Sequence, residues 1–216
     1  MNDKQLRDDV LAELDFEPSV NSADIGVAVS DGVVTLTGHV PNYAQKIAAE
    51  AAARRVRGVK AIAQEIEVRY PSDKKTADDE IAKRALDILR WSEIIPKDAL
   101  KLTVNDGWVK LTGEVEWQYQ RRAAEDEIRK LSGVAGVVNN IVLKPRVLPS
   151  DVKQKIEDAL KRNAEIEARS VQVCVVDGGI IELDGKVHSW QERLVVENAA
   201  WSAPGVSNVR DRLSIG

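Results

Sequence analysis

Apolar residues recur along this chain in two rhythms that alternate three times. Leu6, Val10 and Leu14 are spaced for one face of a helix, as are Ile81, Ala82, Ala85, Leu86 and Leu89, and again Val152, Ile156, Ala159 and Leu160. Asp78 and Ser150 stand where helix N-caps are expected. After each helix the period drops to two: Ile25, Val27 and Val29; Leu100, Leu102 and Val104; Val171, Val173 and Val175. An Asp-Gly pair then reverses the chain at Asp31-Gly32, Asp106-Gly107 and Asp177-Gly178, because both residues tolerate the positive φ of a tight hairpin. The returning strands carry Val34 and Leu36, Val109 and Leu111, and Ile181 and Leu183. A second helix is predicted from the stripes Ala49, Ala53, Val56; Ala124, Ile128, Leu131; and Val196, Ala200, Ala203, with Gly58, Gly133 and Gly205 as its stops. A last strand closes each unit through Ile62, Ile66 and Val68; Val137, Ile141 and Leu143; Val209, Leu213 and Ile215.

The three units are copies of one another. The first Asp-Gly pair lies 75 residues before the second and the second 71 before the third, and the glycines that close the motif, Gly38, Gly113 and Gly185, each precede the helix-stop glycine by 20 residues. Pro-containing polar joints at 70–75 and 144–151 set the expected domains at 1–71, 72–147 and 148–216. The order is α-β-β-α-β. A helical crossover makes the last two strands of a copy parallel, so the predicted class is α+β: three tandem units, each a small mixed three-stranded sheet with both helices on one face.

The repeated DGxVxLxG hairpin, the valines at Val40, Val115 and Val187, the alanine-rich helix with Glu50, Glu125 and Glu197, and the pairs Gly58-Val59, Gly133-Val134 and Gly205-Val206 resemble the BON domain family. The resemblance covers essentially the whole chain. It implies association with phospholipid membranes in osmotic or envelope stress, and its motif is structural rather than chemical. The best-known members are exported and carry two such domains. This sequence holds three and opens without an apolar segment of secretory length, so the cytoplasm is the expected compartment as written, and the periplasm if a signal sequence has been removed.

Catalytic chemistry finds little support. Asp31, Asp106 and Asp177 recur in register, but a place before Gly in a two-strand turn explains them. His39 and His188 occupy non-equivalent sites, and Cys174 has no base among its neighbours in sequence. One Cys and two His cannot assemble a usual structural zinc set, and no Walker loop, GxSxG elbow, HExxH or EF-hand loop is present; no enzyme activity, metal or cofactor is expected. Gly133-Val134-Ala135-Gly136 matches the GxxG of KH domains but lies between a helix and a strand, and the other copies lack it. A net charge of -4 also speaks against a nucleic-acid partner.

Binding remains, and the aromatic residues locate it. Five of the nine are Trp against one Phe, and indoles favour the boundary between apolar and wet surroundings. Trp117 and Trp190 align with Asn42 and Tyr43 at the entry to the second helix, and Trp91 aligns with Phe16 at the end of the first. Residues 72–147 hold 14 basic and 13 acidic side chains, the least acidic balance of the three copies, and add Trp108, Tyr119, Arg121, Arg122, Arg129 and Lys130. The expected contact surface is therefore Trp91, Trp117, Tyr119, Arg121, Arg122 and Trp190, meeting an anionic phospholipid surface; the alternative is a soluble scaffold using the same aromatic corners for a protein partner or its own copies. The structural motif residues are Asp31, Gly32, Gly38, Gly58, Asp106, Gly107, Gly113, Gly133, Asp177, Gly178, Gly185 and Gly205.

Overall fold

The computed structural model describes residues 2–70, 77–144, 151–162, 171–176 and 178–215. The first copy runs α1 (Asp3–Phe16), β1 (Ile25–Ser30), β2 (Val33–Val40), α2 (Tyr43–Arg55) and β3 (Ala61–Val68). The second runs α3 (Asp78–Trp91), β4 (Leu100–Asn105), β5 (Trp108–Val115), α4 (Gln118–Arg129) and β6 (Gly136–Leu143). The third runs α5 (Val152–Arg162), β7 (Val171–Val176), β8 (Ile180–Val187), α6 (Trp190–Trp201) and β9 (Asn208–Ile215). Each copy builds its own three-stranded sheet, ordered β1-β2-β3, β4-β5-β6 and β7-β8-β9. The hairpins are antiparallel, and the helical crossover lays β3 parallel to β2 and β9 parallel to β8. The chain divides into two compact units: Met1–Val115 with Tyr119–Val142, and Leu143–Gly216 with Glu116–Gln118.

The predicted stripes form the cores. Leu6, Val10 and Leu14 of α1 are buried, as are Ile81, Ala85 and Leu89 of α3, and Val152, Ile156 and Leu160 of α5. In the third copy these side chains share one cluster with Val173, Ile181, Leu183, Val196, Ala200 and Leu213. Val175 differs from expectation. It is 40% exposed, because β7 is an edge strand and the cover given to Val171 and Val173 does not extend to it.

The Asp-Gly hairpins form as predicted in two copies. Asp31 and Gly32 have φ of 53° and 81°, and Asp106 and Gly107 have 49° and 76°, the two positive values a two-residue hairpin turn requires. The third hairpin is one residue longer, since Val176 pairs with Ile180 where Ser30 pairs with Val33. Gly179 rather than Gly178 is thus the counterpart of Gly32 and Gly107. Its carbonyl accepts the Ser207 N–H at 2.8 Å, as Gly32 accepts from Lys60 and Gly107 from Ala135, each at 2.9 Å. Asp177 and Ser150 lie outside the described residues.

Two further expectations are corrected. Gly58, Gly133 and Gly205 do not end the second helices, which stop earlier at Arg55, Arg129 and Trp201. They occupy the third place of a following turn closed by Val59 N–H to Val56, Val134 N–H to Leu131 and Val206 N–H to Ala203, with φ of 95°, 93° and 85°. A type II turn places Gly there. Asp78 is not an N-cap either. Ala77 holds that place without a side-chain bond, and Asp78 opens the helix, so its carboxylate is free to reach the hairpin: Oδ2 accepts the Asp106 N–H at 2.8 Å and Oδ1 the Gly107 N–H at 2.9 Å. Asp3 grips Asp31 and Gly32 in the same way, at 2.9 and 3.2 Å.

Trp108 has a steric partner that its sequence does not announce. A Cβ on Gly136 would lie 2.4 Å from the indole Cζ3, so the ring covers a site that only glycine leaves open. Because Trp108 is 53% exposed it can swing aside, and Gly136→Ala is expected to cost about 1 kcal/mol of stability by chemical denaturation, with Trp108→Val relieving the loss.

Candidate binding surface

One repeated polar arrangement ties the second helix of each copy to the edge strand. Lys46 Nζ donates to the Ile66 carbonyl at 2.7 Å, the Arg121 guanidinium to the Asn139 carbonyl at 3.2 Å, and Arg193 to the Asp211 carboxylate. On the strand, Gln64 Oε1 accepts the Ile66 N–H, Asn139 Oδ1 the Ile141 N–H, and Asp211 Oδ1 the Leu213 N–H, at 3.1, 3.2 and 2.7 Å. These backbone groups face the open edge of the sheet, where unpaired N–H groups invite another strand, and the side chains occupy them. Burial pushes the Asp211 carboxyl up, but side-chain hydrogen bonding with Glu197, together with hydrogen bonds from the Leu213 N–H and Arg193, outweighs it and holds it below the ordinary aspartate range.

This arrangement changes the electrostatics expected of α4. Arg121 is held by Asn139, Arg129 pairs with Glu125 and with Asp126 at 3.0 Å, and Lys130 pairs with Glu127 at 3.2 Å. Arg122 is half-buried. The basic group on α4 is therefore largely met by its own helix and strand.

The aromatic side chains separate into distinct environments. Trp91 is 87% exposed at the end of α3, and Phe16, at the same place on α1, is 83% exposed. Ile94, three residues after Trp91, is also exposed, and so is Tyr119 on α4. Trp117 and Trp190 are half-buried at the starts of α4 and α6. Arg193 lies over the Trp190 ring, 5.1 Å from its centroid, in cation–π geometry. Tyr43 opens α2 as Trp190 opens α6. It is half-buried against the second copy, where it hydrogen-bonds the Val137 backbone beside Glu125 and Arg129, and burial pushes its hydroxyl pKa up. The exposure of Phe16 and the docking of Tyr43 escaped sequence reading, because the spacing that places a residue on a helix says nothing about the neighbouring copy.

The remaining candidates for chemistry have structural duties or open surroundings. His188 and Ser189 build the start of α6: the buried Glu192 carboxylate accepts the His188 N–H at 2.6 Å and lies 3.1 Å from its ring, while Ser189 Oγ accepts the Glu192 N–H at 3.1 Å. Cys174 is exposed on β7. His39 stands 3.8 Å from Asp24 in a shallow cleft lined also by Asn21, Pro41, Arg69 and Tyr70, where burial pushes the Tyr70 hydroxyl up to about 12. Among the described residues no group of three or more His, Cys, Asp and Glu could hold a metal ion, and no helix is long and apolar enough to cross a membrane.

Three α-β-β-α-β units, each with a mixed sheet, a positive-φ hairpin and a glycine turn after the second helix, define a tandem α+β repeat protein. Comparison with known proteins agrees: the BON domain model matches residues 2–70, 77–145 and 150–216. The chain belongs to the BON domain family. It is 31% identical over 153 residues to osmotically-inducible protein Y of Escherichia coli strain K12, a match covering 67% of this chain and 74% of that protein. Two solved structures of CdsD, a structural protein of the type III secretion system of Chlamydia trachomatis, align at 16% and 14% identity. They cover 98% and 100% of this chain and 92% and 100% of theirs, with TM-scores of 0.27 and 0.28, too low to support an argument.

Proposed function

We propose that this protein binds anionic phospholipid surfaces peripherally, in the setting of osmotic or envelope stress, and that the end of α3 is its point of contact. The observation that carries the reading is the 87% exposure of Trp91. An indole held in water gains nothing for the fold, and it partitions favourably into a headgroup layer. Ile94 adds apolar surface beside it in sequence, and the exposed Arg90 and Lys97 flank the segment with cations, each worth about 1 kcal/mol near a charged membrane. Relatedness to osmotically-inducible protein Y supports the stress setting. The contact thus shifts from the α4 cations to the α3 end, with Trp91 common to both.

Co-sedimentation with phosphatidylglycerol vesicles tests this. Wild type is expected to pellet with vesicles at low salt and to be released as salt rises. Trp91→Ala is expected to weaken binding by about tenfold or more, corresponding to roughly 1.5–2 kcal/mol of lost apolar burial. Binding by Trp91→Ala equal to that of wild type, or no wild-type binding at low salt, would refute the reading.

A further inference from the structure

The sheet of the third copy has two edges of opposite character. On β9, Arg210, Asp211 and Arg212 put charge along the strand, and Asp211 Oδ1 takes up the Leu213 N–H at 2.7 Å. Charged side chains on an edge keep other strands away. β7, at the other edge, has no such guard. Val171-Gln172-Val173-Cys174-Val175-Val176 holds four valines and no charge, proline or glycine, the composition that most readily adds a strand. The matching edges of the other copies are guarded or weakened, β4 by the exposed Lys101 and β1 by Gly26. Among the described residues β7 pairs with β8 alone, so the N–H and C=O groups on its far side have no strand partner.

The side chains of β7 are suited to a second strand. Val175 shares a face with the buried Val171 and Val173 and is 40% exposed, whereas Val29 and Val104, at the same place in the other copies, are half-buried. A strand laid beside β7 would cover it. On the opposite face Cys174 is exposed, and the carboxylate that pairs with it in register, Glu182, is met by Arg210 at 2.8 Å and Arg212 at 3.5 Å. Two copies can therefore approach at Cys174 without bringing an unmatched glutamate with them.

With β9 guarded and β1 and β4 weakened, the strand of this chain best suited to β7 is β7 itself. A two-fold axis perpendicular to the sheet makes such a pair antiparallel and keeps both cores on one side, so side chains of one face meet side chains of the same face. An axis at Cys174 sets Val175 against the partner's Val173 beside the axis. An axis at Val173 would leave Val175 at the end of the ladder. We propose that β7 pairs with β7 of a second molecule of this protein about a two-fold axis at Cys174, joining two three-stranded sheets into a continuous one. The interface is isologous, so association stops at the dimer. The proposal does not rest on lipid binding.

Sedimentation velocity on the full chain, without lipid and with reductant, tests it at concentrations up to about 0.2 mM, where a contact with a dissociation constant of about 10 μM is largely dimeric. The mass is expected to rise to that of a dimer and no further. Cys174→Lys and Cys174→Glu, each folded by circular dichroism, set like charges opposite one another and are each expected to dimerise about fivefold more weakly or worse. Mixed in equal amounts they should recover the dimer, because lysine then faces glutamate. A second measurement needs no charged variant. Directly opposite residues of an antiparallel pair have Cα atoms about 4.5–5.5 Å apart, inside the range of about 4.4–6.8 Å that a disulfide spans. Diamide takes up the two electrons and two protons of a thiol pair. It is expected to link wild type through Cys174 about tenfold or more faster than it links Gln172→Cys combined with Cys174→Ser, since Gln172 faces Val176 in this register. A wild type that stays monomeric across the range or grows past a dimer would overturn the proposal. So would a Cys174→Lys variant that dimerises like wild type, a mixture no tighter than its parts, or equal linking rates.

Discussion

Replacing Gly113 by alanine is expected to unfold the second copy or to leave it barely stable. Gly113 sits in β5 opposite Leu100 with φ of +132°, a conformation that residues carrying a Cβ rarely adopt. A Cβ there would lie 2.2 Å from the Ala99 carbonyl oxygen and 3.1 Å from the Leu100 Cα. Those are backbone atoms, so the start of β4 would have to move. Backbone strain of about 1–3 kcal/mol adds to an overpacking cost of about 1–3 kcal/mol, giving roughly 2–6 kcal/mol in all. A domain of this size is stable by only about 4–10 kcal/mol, so a loss in the middle of that range takes about half of what holds it folded. Denaturant unfolding measures the loss, and native-state hydrogen exchange should show it in the amides of β4 and β5 while β7 and β8 keep their protection. Gly38→Ala should behave alike in the first copy, where the Cβ would lie 1.9 Å from the Asp24 carbonyl oxygen. Gly178→Ala supplies the contrast. Its φ is +81° but nothing lies within 4 Å of a Cβ, so it should cost only about 1–2 kcal/mol. A Gly113→Ala protein within about 0.5 kcal/mol of wild type would contradict this account of the closing glycine.

The comparison of these glycines shows where reading a sequence succeeds and where it stops. Helices and strands were legible because a buried face leaves a period, and Leu6, Val10 and Leu14 or Val34 and Leu36 carry that period in the letters themselves. The repeat multiplied the signal, since each copy states it again. Glycine positions were equally plain, but their duties were not. Gly58 reads as a helix stop by its place after an alanine stripe, yet a three-residue lag puts it in a turn of its own. Gly178 and Gly179 cannot be told apart by residue type; only strand register shows that the third hairpin holds the added residue. The candidate surface was legible by half. Composition singled out Trp91, and the structure leaves it in solvent, whereas Arg121 looked like a free cation until Asn139, eighteen residues away, appeared beside it. Contacts between residues far apart in the chain leave no periodic trace, and the docking of Tyr43 on Val137 is one of them.

The carboxylates at the start of α1 and α3 belong to that class, and they yield a second measurable consequence. Asp78→Ala is expected to destabilise the second copy by about 2 kcal/mol. A type I′ turn aims the N–H groups of Asp106 and Gly107 outward from the hairpin, and the two Asp78 oxygens accept both, so the helix start and the hairpin are joined across 28 residues of chain. Hydrogen bonds to a charged acceptor are worth about 1.5–3 kcal/mol each when shielded, and the exposure of this site brings the pair down to about that of one. Loss of a negative charge at the helix N-terminus adds about 0.3–1 kcal/mol, and a control separates the two effects. Asp79 lies in the same first turn but pairs with Lys83 rather than with the hairpin, so Asp79→Ala reports the helix term together with one exposed ion pair worth only about 0.3–0.5 kcal/mol. The grip on the turn is the difference between the two variants in denaturant unfolding. Asp78→Asn, with one acceptor left, should fall between them, and Asp3→Ala should repeat the loss in the first copy through Asp31 and Gly32. The third copy is the natural comparison. Aligning Val152 with Ile81 and Leu6 puts Pro149 where the aspartate stands, and that same copy has the longer hairpin. Equal losses for Asp78→Ala and Asp79→Ala would show that the helix terminus alone explains the residue and that the hairpin stands without its grip.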